Sequence, residues 1–406
     1  MTDPQPPDHD SVELQRVARE LRGGLQPLLQ ALAGEPARPV RLTQGIGLDK
    51  SLASRLVKAV RSDGEAEFLH HIPSPTGLRI LLERARGQAD ASLLRDLEAG
   101  VRRFEALLDR LPGGRQALDA RMGESSSAIR EKREQMARQA SFKAQSFLFG
   151  HYCETLTTAL FVLPSAQPGR VDVIEVHRRI GLQRLTPTMA VPLLSVHAGP
   201  AATADEAPRL RPLASDEPSA RAEDYLQPDP AGEPLPTVQV VREDSAATFV
   251  FPAGEAARLP RRLTTAWRVL NAFALDTPEP WRILRNYMLH TPCHTLVRDL
   301  YLAEGLWPDA RPLVGFYLPG PSGTPMVTVE PGQPHLRRLN LSARIEQRPE
   351  GSEAFALEES ADQTSALQAA LARAGVGQQR WRGWRCRMGY PVPLVEMQLA
   401  LRFSGL

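Results

Sequence analysis

The chain has 406 residues, of which 42% are hydrophobic and 24% charged, with a formal net charge of +2. That length allows two or three domains with cores of their own. The near balance of charge supplies no global pull on a polyanion, so any affinity for nucleic acid must come from local clustering.

Three widely scattered cysteines, Cys153, Cys293 and Cys386, argue against a disulfide framework and suit a reducing compartment. No apolar run approaches the roughly 18 residues that span a bilayer. Residues 1–10 are acidic and Pro-rich and predict a disordered tail. They hold no apolar stretch of the kind a secretory signal needs, so a cytoplasmic location is expected.

Residues 11–149 read as wholly helical. Leu14, Val17, Leu21, Leu25, Leu28 and Leu32 recur at steps of three and four and predict a helix over 12–32. A sharp turn is predicted at Gly47, where glycine takes a left-handed backbone at little cost. Asp49 is placed to accept backbone N–H bonds at the start of the following helix. In that helix Leu52, Leu56, Ala59 and Val60 share one face. Lys50, Ser51, Ser54, Arg55, Lys58 and Arg61 crowd the other. Residues 39–61 hold five basic side chains against one acidic.

On these residues, segment 39–61 resembles the helix-turn-helix of bacterial transcription regulators. Gly47-Leu48 stands at the turn, Asp49 at the cap, and Ala53-Ser54-Arg55-Leu56 in the second, recognition helix. The resemblance covers about 23 residues and departs in the first helix, which Pro39 shortens and Gly45 weakens by about 1 kcal/mol against alanine. It implies a helix offered to the major groove of double-stranded DNA. Lys50, Ser51, Ser54 and Arg55 would approach base edges, and Lys58 and Arg61 would lie near phosphates. No alternating hairpin follows Arg61, so a β wing is not expected.

Further helices are predicted over 76–85, 90–111 and 127–149. In the second of these, Leu94, Leu97, Val101, Phe104, Leu108 and Leu111 form an a/d-like seam, suited either to a core helix or to a dimerisation helix. In the third, the run Arg130-Glu131-Lys132-Arg133-Glu134 reads as a solvated face with i,i+4 pairs.

Near residue 150 the hydrophobic period changes from 3.6 to 2. Strands are expected at 155–163, 171–177 and 189–197. Residues 198–236, rich in Ala, Pro and acids, predict a disordered linker. Short strands at 238–241 and 248–251 follow, then 313–318 paired with 326–329. Strictly alternating strands at 339–345 and 395–403 imply an antiparallel sheet with one wet face, and a helix over 364–374 ends at Gly375. The pattern leaves open whether 150–197 and 237–406 share one core. The expected fold is thus α+β and multidomain, an all-α helix-turn-helix domain followed by a mainly antiparallel β-containing region.

Chemistry is sparse. His290, Cys293 and His294, with Asp299 beyond, are the one cluster of metal-ligand types, but no second pair completes a tetrahedral site. His70 and His71 are expected at a helix C-terminus. Arg380-Trp381-Arg382-Gly383-Trp384-Arg385-Cys386-Arg387 suits either a half-buried strand or a base-stacking contact. Phosphate-loop, dinucleotide, nucleophile-elbow and zinc-protease motifs are missing.

The expectation is therefore a DNA-binding transcription regulator, not an enzyme, with no cofactor or metal and no membrane partner. A homodimer and an unknown small-molecule effector are its expected further partners. The alternative is a structural or interaction protein in which the helix-turn-helix is only a packing unit.

Overall fold

The structure is a computed structural model that describes residues 9–125, 127–197, 210–219, 221–228, 237–243, 246–254, 262–276, 279–319, 329–331 and 333–403. It is a mixed α+β chain that divides into two compact units, residues 1–134 and 135–406. No described helix is long and apolar enough to cross a membrane.

The first unit is helical. Helix α1 (His9–Ala33) carries the predicted leucine stripe, and Leu21, Leu25, Leu28 and Leu29 are fully buried. Helices α2 (Pro39–Ile46), α3 (Lys50–Val60), α4 (Glu65–His71) and α5 (Pro75–Ala85) follow. Then come α6 (Ala91–Arg110), α7 (Gly114–Ser125) and α8 (Ser127–Phe149), the last running on into the second unit. Within the region read as helical, spacing marks out no separate α7, because its apolar residues lack helical periodicity; among its described side chains Leu118 alone is buried.

Helix α6 packs against α1 through glycines. A Cβ on Gly24 would sit 2.8 Å from the backbone of Leu97, and one on Gly100 would sit 3.1 Å from that of Leu21. The buried face is Leu97, Gly100, Val101, Phe104 and Leu107, while Leu94 and Leu108 are only half-buried. The seam thus closes within its own unit as a core helix.

The second unit is β-rich. Its strands are β1 (His151–Pro164), β2 (Arg170–Ile180), β3 (Gln183–Arg184), β4 (Val191–His197), β5 (Leu226–Gln227), β6 (Gln239–Glu243) and β7 (Ala246–Phe251). They continue with β8 (Arg262–Ala274), β9 (Trp281–Met288), β10 (Cys293–Ala303), β11 (Arg311–Tyr317), β12 (Arg344–Gln347), β13 (Trp381–Gly389) and β14 (Glu396–Arg402). The main sheet runs β12-β13-β10-β1-β2-β8-β5, and a smaller one runs β11-β14-β9. Pairing is antiparallel except between β1 and β10. Helix α9 (Gln363–Arg373) reaches one face of the main sheet, where the Gln363 amide donates to the Thr157 hydroxyl at 3.4 Å. Tyr287 of β9 meets the opposite face, its ring 5.3 Å from that of His177.

Several expectations change here. The described parts of 150–197 and 237–406, whose relation the sequence leaves open, share one sheet and one core and belong to a single unit. The linker expected over 198–236 is ordered over its described part. Leu213, Tyr225 and Leu226 are buried, and β5 pairs with β8. Three apolar anchors, the β5 pairing and an antiparallel bridge between Arg211 and Arg268 of β8 hold a stretch whose composition alone looks too polar. Strand β11 pairs with β14, while residues 326–328 lie outside the described residues. Strand β14 has no wet face, since Glu396 and Gln398 are as buried as Met397 and Leu399. Residues 339–343 are irregular, and only β12 beyond them is a strand.

The arginine–tryptophan run becomes β13. Trp381 and Trp384 are buried, and Arg385 holds Asp299 through two bonds of 2.7 and 2.8 Å. Arg380 pairs with Glu304, Arg382 donates to the Trp307 carbonyl, and Arg387 pairs with Glu359. Each cation of the run has a partner within the fold, although Arg380 and Arg387 remain exposed, so a strand with buried tryptophans is the reading that fits.

The turn between α2 and α3 has the expected geometry. Gly47 lies at φ 65°, ψ 32°, and its N–H returns to the Leu42 carbonyl. Asp49 accepts from the backbone N–H groups of Ser51 (2.8 Å) and Leu52 (3.2 Å). We predict that Asp49→Ala costs the helical unit about 1 kcal/mol, a typical loss for an N-cap carboxylate. Urea denaturation of the full chain followed by circular dichroism at 222 nm checks it.

Candidate nucleic-acid interface

Helix α3 is anchored by the burial of Ala53, Leu56, Val57 and Ala59. Because 3.6 residues make a turn, burying these four turns the intervening positions outward. Lys50, Ser51, Ser54, Arg55, Lys58 and Arg61 are all exposed. Two of them are also held locally. The Arg61 guanidinium donates to the Ala37 carbonyl at 2.7 Å, and that of Arg55 donates to the Ile72 carbonyl at 3.3 Å.

Other elements add charge beside α3. Arg115 of α7 donates to the carbonyls of Leu69 and His70 (both 2.9 Å) and Ile72 (3.2 Å), closing the C-terminus of α4. Arg55 and Arg115 therefore converge on one carbonyl oxygen. One turn further along α3, the Lys58 ammonium meets that of Lys132 on α8. Lys132 first and burial second pull Lys58 below its usual range, with Glu67 opposing. Arg133 and Arg115 both pair with Asp119. Five cations (Arg55, Lys58, Arg115, Lys132 and Arg133) thus gather around two acids, Asp119 and Glu67.

Lys132, Arg133 and Arg115 are the members that sequence reasoning missed. The run 130–134 read as a self-paired solvated face. In the structure Lys132 meets Lys58 of α3 and Arg133 pairs with Asp119 of α7, a preference set by packing that helical spacing does not record.

The paired histidines lie at the end of α4, as expected. They are not dipole-stabilised cations, however. Burial first, then Lys58 and His70, lower His71 to about 4, with Glu67 at 3.7 Å opposing. Burial and then Arg133 lower His70 as well. Both rings are neutral near pH 7.

The His290–His294 cluster disperses. His290 is exposed, Cys293 is buried opposite Cys153 in the β1–β10 register, and His294 lies 4.6 Å from the Phe142 ring. Asp299 is bound to Arg385. Among the described residues no group of three or more His, Cys, Asp or Glu side chains is placed to hold a metal ion.

The titration of His71 has a measurable consequence. Its folded value of about 4 lies below the ordinary 6.5. The unfolded chain therefore takes up the proton first, and stability falls as pH drops from 6.5 towards 4. We predict that His71→Gln flattens this part of the urea-midpoint profile measured between pH 7 and 4. No family model matches the chain, and no curated protein matches it.

Proposed function

We propose that the chain binds double-stranded DNA through the exposed face of α3 and acts as a transcription regulator, with the β-rich unit sensing a ligand or mediating assembly. The observation that carries this reading is the excess of cations over acids around α3, five against the two carboxylates of Asp119 and Glu67. Arg55 beside Arg115 and Lys58 beside Lys132 repel each other in the free protein. A phosphate backbone supplies the missing negative charge and releases its own counterions on binding.

A tight turn followed by a capped helix with polar residues outward suits insertion into the major groove. Lys50, Ser51, Ser54 and Arg55 then approach base edges, while Lys58, Lys132 and Arg61 lie near phosphates. In a homodimer, two such helices about 34 Å apart would read successive half-sites.

A second reading, a packing unit within an interaction protein, draws support from the local bonds of Arg55 and Arg61. On that reading both side chains brace α3 against its neighbours, and the surface has no polyanion partner.

Gel-shift titration against a random duplex library, repeated across salt concentrations, separates the two. The DNA reading expects Arg55→Ala to weaken selected sites by about 1–3 kcal/mol and to relax sequence preference. It expects Lys58→Ala and Lys132→Ala to weaken all duplexes alike, each lowering the salt slope by about one. Retardation that is absent, or indifferent to all three substitutions, removes the assignment.

A further inference from the structure

The face of the main sheet turned towards β9 is built around a polar row. Register places Thr265 of β8 beside His177 of β2, His177 beside Thr158 of β1, and Thr158 beside Arg298 of β10. Glu175 lies two residues along β2 on the same face, and Arg179 two residues the other way. From β9, Tyr287 stacks beneath the Arg298 guanidinium at 5.2 Å, and Arg285 reaches Glu175 at 2.7 Å.

This interior holds an excess of donors and positive charge. Arg285 and Arg298 act on the single carboxylate of Glu175, Arg179 lies beyond His177 on the same strand, and His177 is kept neutral by burial despite its 3.2 Å contact with Glu175. Glu175 is held by the Arg285 ion pair on one oxygen and by His177 on the other. Burial pushes it up, yet Arg285, the His177 bond and Arg298 outweigh that and hold it at about 2. Arg298 is 4% exposed, and burial brings it down to about 10 although Glu175 and Tyr287 act the other way. One terminal nitrogen donates to the Arg285 carbonyl at 3.5 Å, while its Nε makes no hydrogen bond within the protein.

Arg179, also 4% exposed, gives one nitrogen to the Leu193 carbonyl, while its Nε and second terminal nitrogen have no protein acceptor. The Thr158 and Thr265 hydroxyls likewise have none. Burying charged guanidinium nitrogens that lack acceptors is costly for a fold. An oxyanion between them satisfies the charge and the donors together, because the planar fork of arginine matches a carboxylate or phosphate.

Access and specificity are also visible. The Arg285 side chain is 38% exposed, and β9 is an edge strand of the smaller sheet, so the row opens to solvent there. Tyr287 and Leu296 also line an adjoining apolar cleft with Phe316, Met388, Val395 and Met397. We infer that the β-rich unit binds a small organic acid, its oxyanion head between Arg179 and Arg298 and its apolar body towards the Tyr287 cleft. This deepens the regulator reading by giving the effector a chemical class. It rests on that reading for its biological role alone, since the binding stands without DNA.

Isothermal calorimetry and thermal melting of the full chain with benzoate, octanoate and inorganic phosphate test it, with benzyl alcohol and octanol as uncharged controls. The expected result is saturable binding and a raised melting temperature with the two carboxylates and no effect of either alcohol. Binding should weaken tenfold or more in Arg298→Met and in Arg179→Met. Phosphate binding that exceeds both carboxylates would place the oxyanion site correctly but overturn the apolar body of the ligand. Should either methionine variant fail to fold, Thr158→Val and the surface-reaching Arg285→Gln take its place, each expected to weaken carboxylate binding measurably. No binding of any anion by the wild-type chain, or binding unchanged in the variants, overturns the inference. Because the readout contains no nucleic acid, its failure and that of DNA binding are separately visible.

Discussion

Helix α3 can be offered to a partner only because its other side is committed to the core. Ala53, Leu56, Val57 and Ala59 leave water, and the left-handed turn at Gly47 sets the angle at which the helix enters. The Asp49 carboxylate satisfies two backbone donors that would otherwise be orphaned at its first turn. Each of these constraints is local and modest in energy. Together they decide which six side chains meet solvent, and the remainder of the surface around α3 is arranged on that choice.

The cationic surface arises from convergence across elements. No single helix of the unit is strongly basic, and the chain as a whole is nearly neutral. Two of the chain's four lysines, Lys58 and Lys132, lie 74 positions apart yet meet, and Arg55 and Arg115 share the carbonyl of Ile72. Like charges held this close raise the energy of the free protein and lower that of any complex with a polyanion. The same field, acting with burial, keeps the proton off His70 and His71.

The β-rich unit follows a different logic. One face of its main sheet resolves each buried charge with a partner, as Arg385 with Asp299 and Arg178 with Asp362 and Gln363. The other face meets three arginines and a single carboxylate, of which Arg285 and Arg298 act on Glu175 while Arg179 has two nitrogens to spare. Cross-strand register creates both patterns, because residues far apart in sequence become neighbours on one face of the pleat. That asymmetry between the two faces distinguishes a network that completes itself from one that has donors to spare.

How much of this was legible beforehand depended on the range of the forces involved. The turn at Gly47, the cap at Asp49, the stripe of α1, the stop at Gly375 and the change of period near residue 150 all follow from interactions within a few residues. The sequence therefore determined them by itself. It also determined which side of α3 is polar, since helical spacing alone separates Lys50, Ser54 and Lys58 from Leu56 and Ala59. The tertiary structure alone decided the partners: that α6 closes on α1 through Gly24 and Gly100, that residues 210–219 and 221–228 join the fold, that β11 pairs with β14, and that Lys132 stands beside Lys58. Those outcomes depend on contacts made across tens to hundreds of residues, where close packing and strand register select one neighbour among many that local pattern allows.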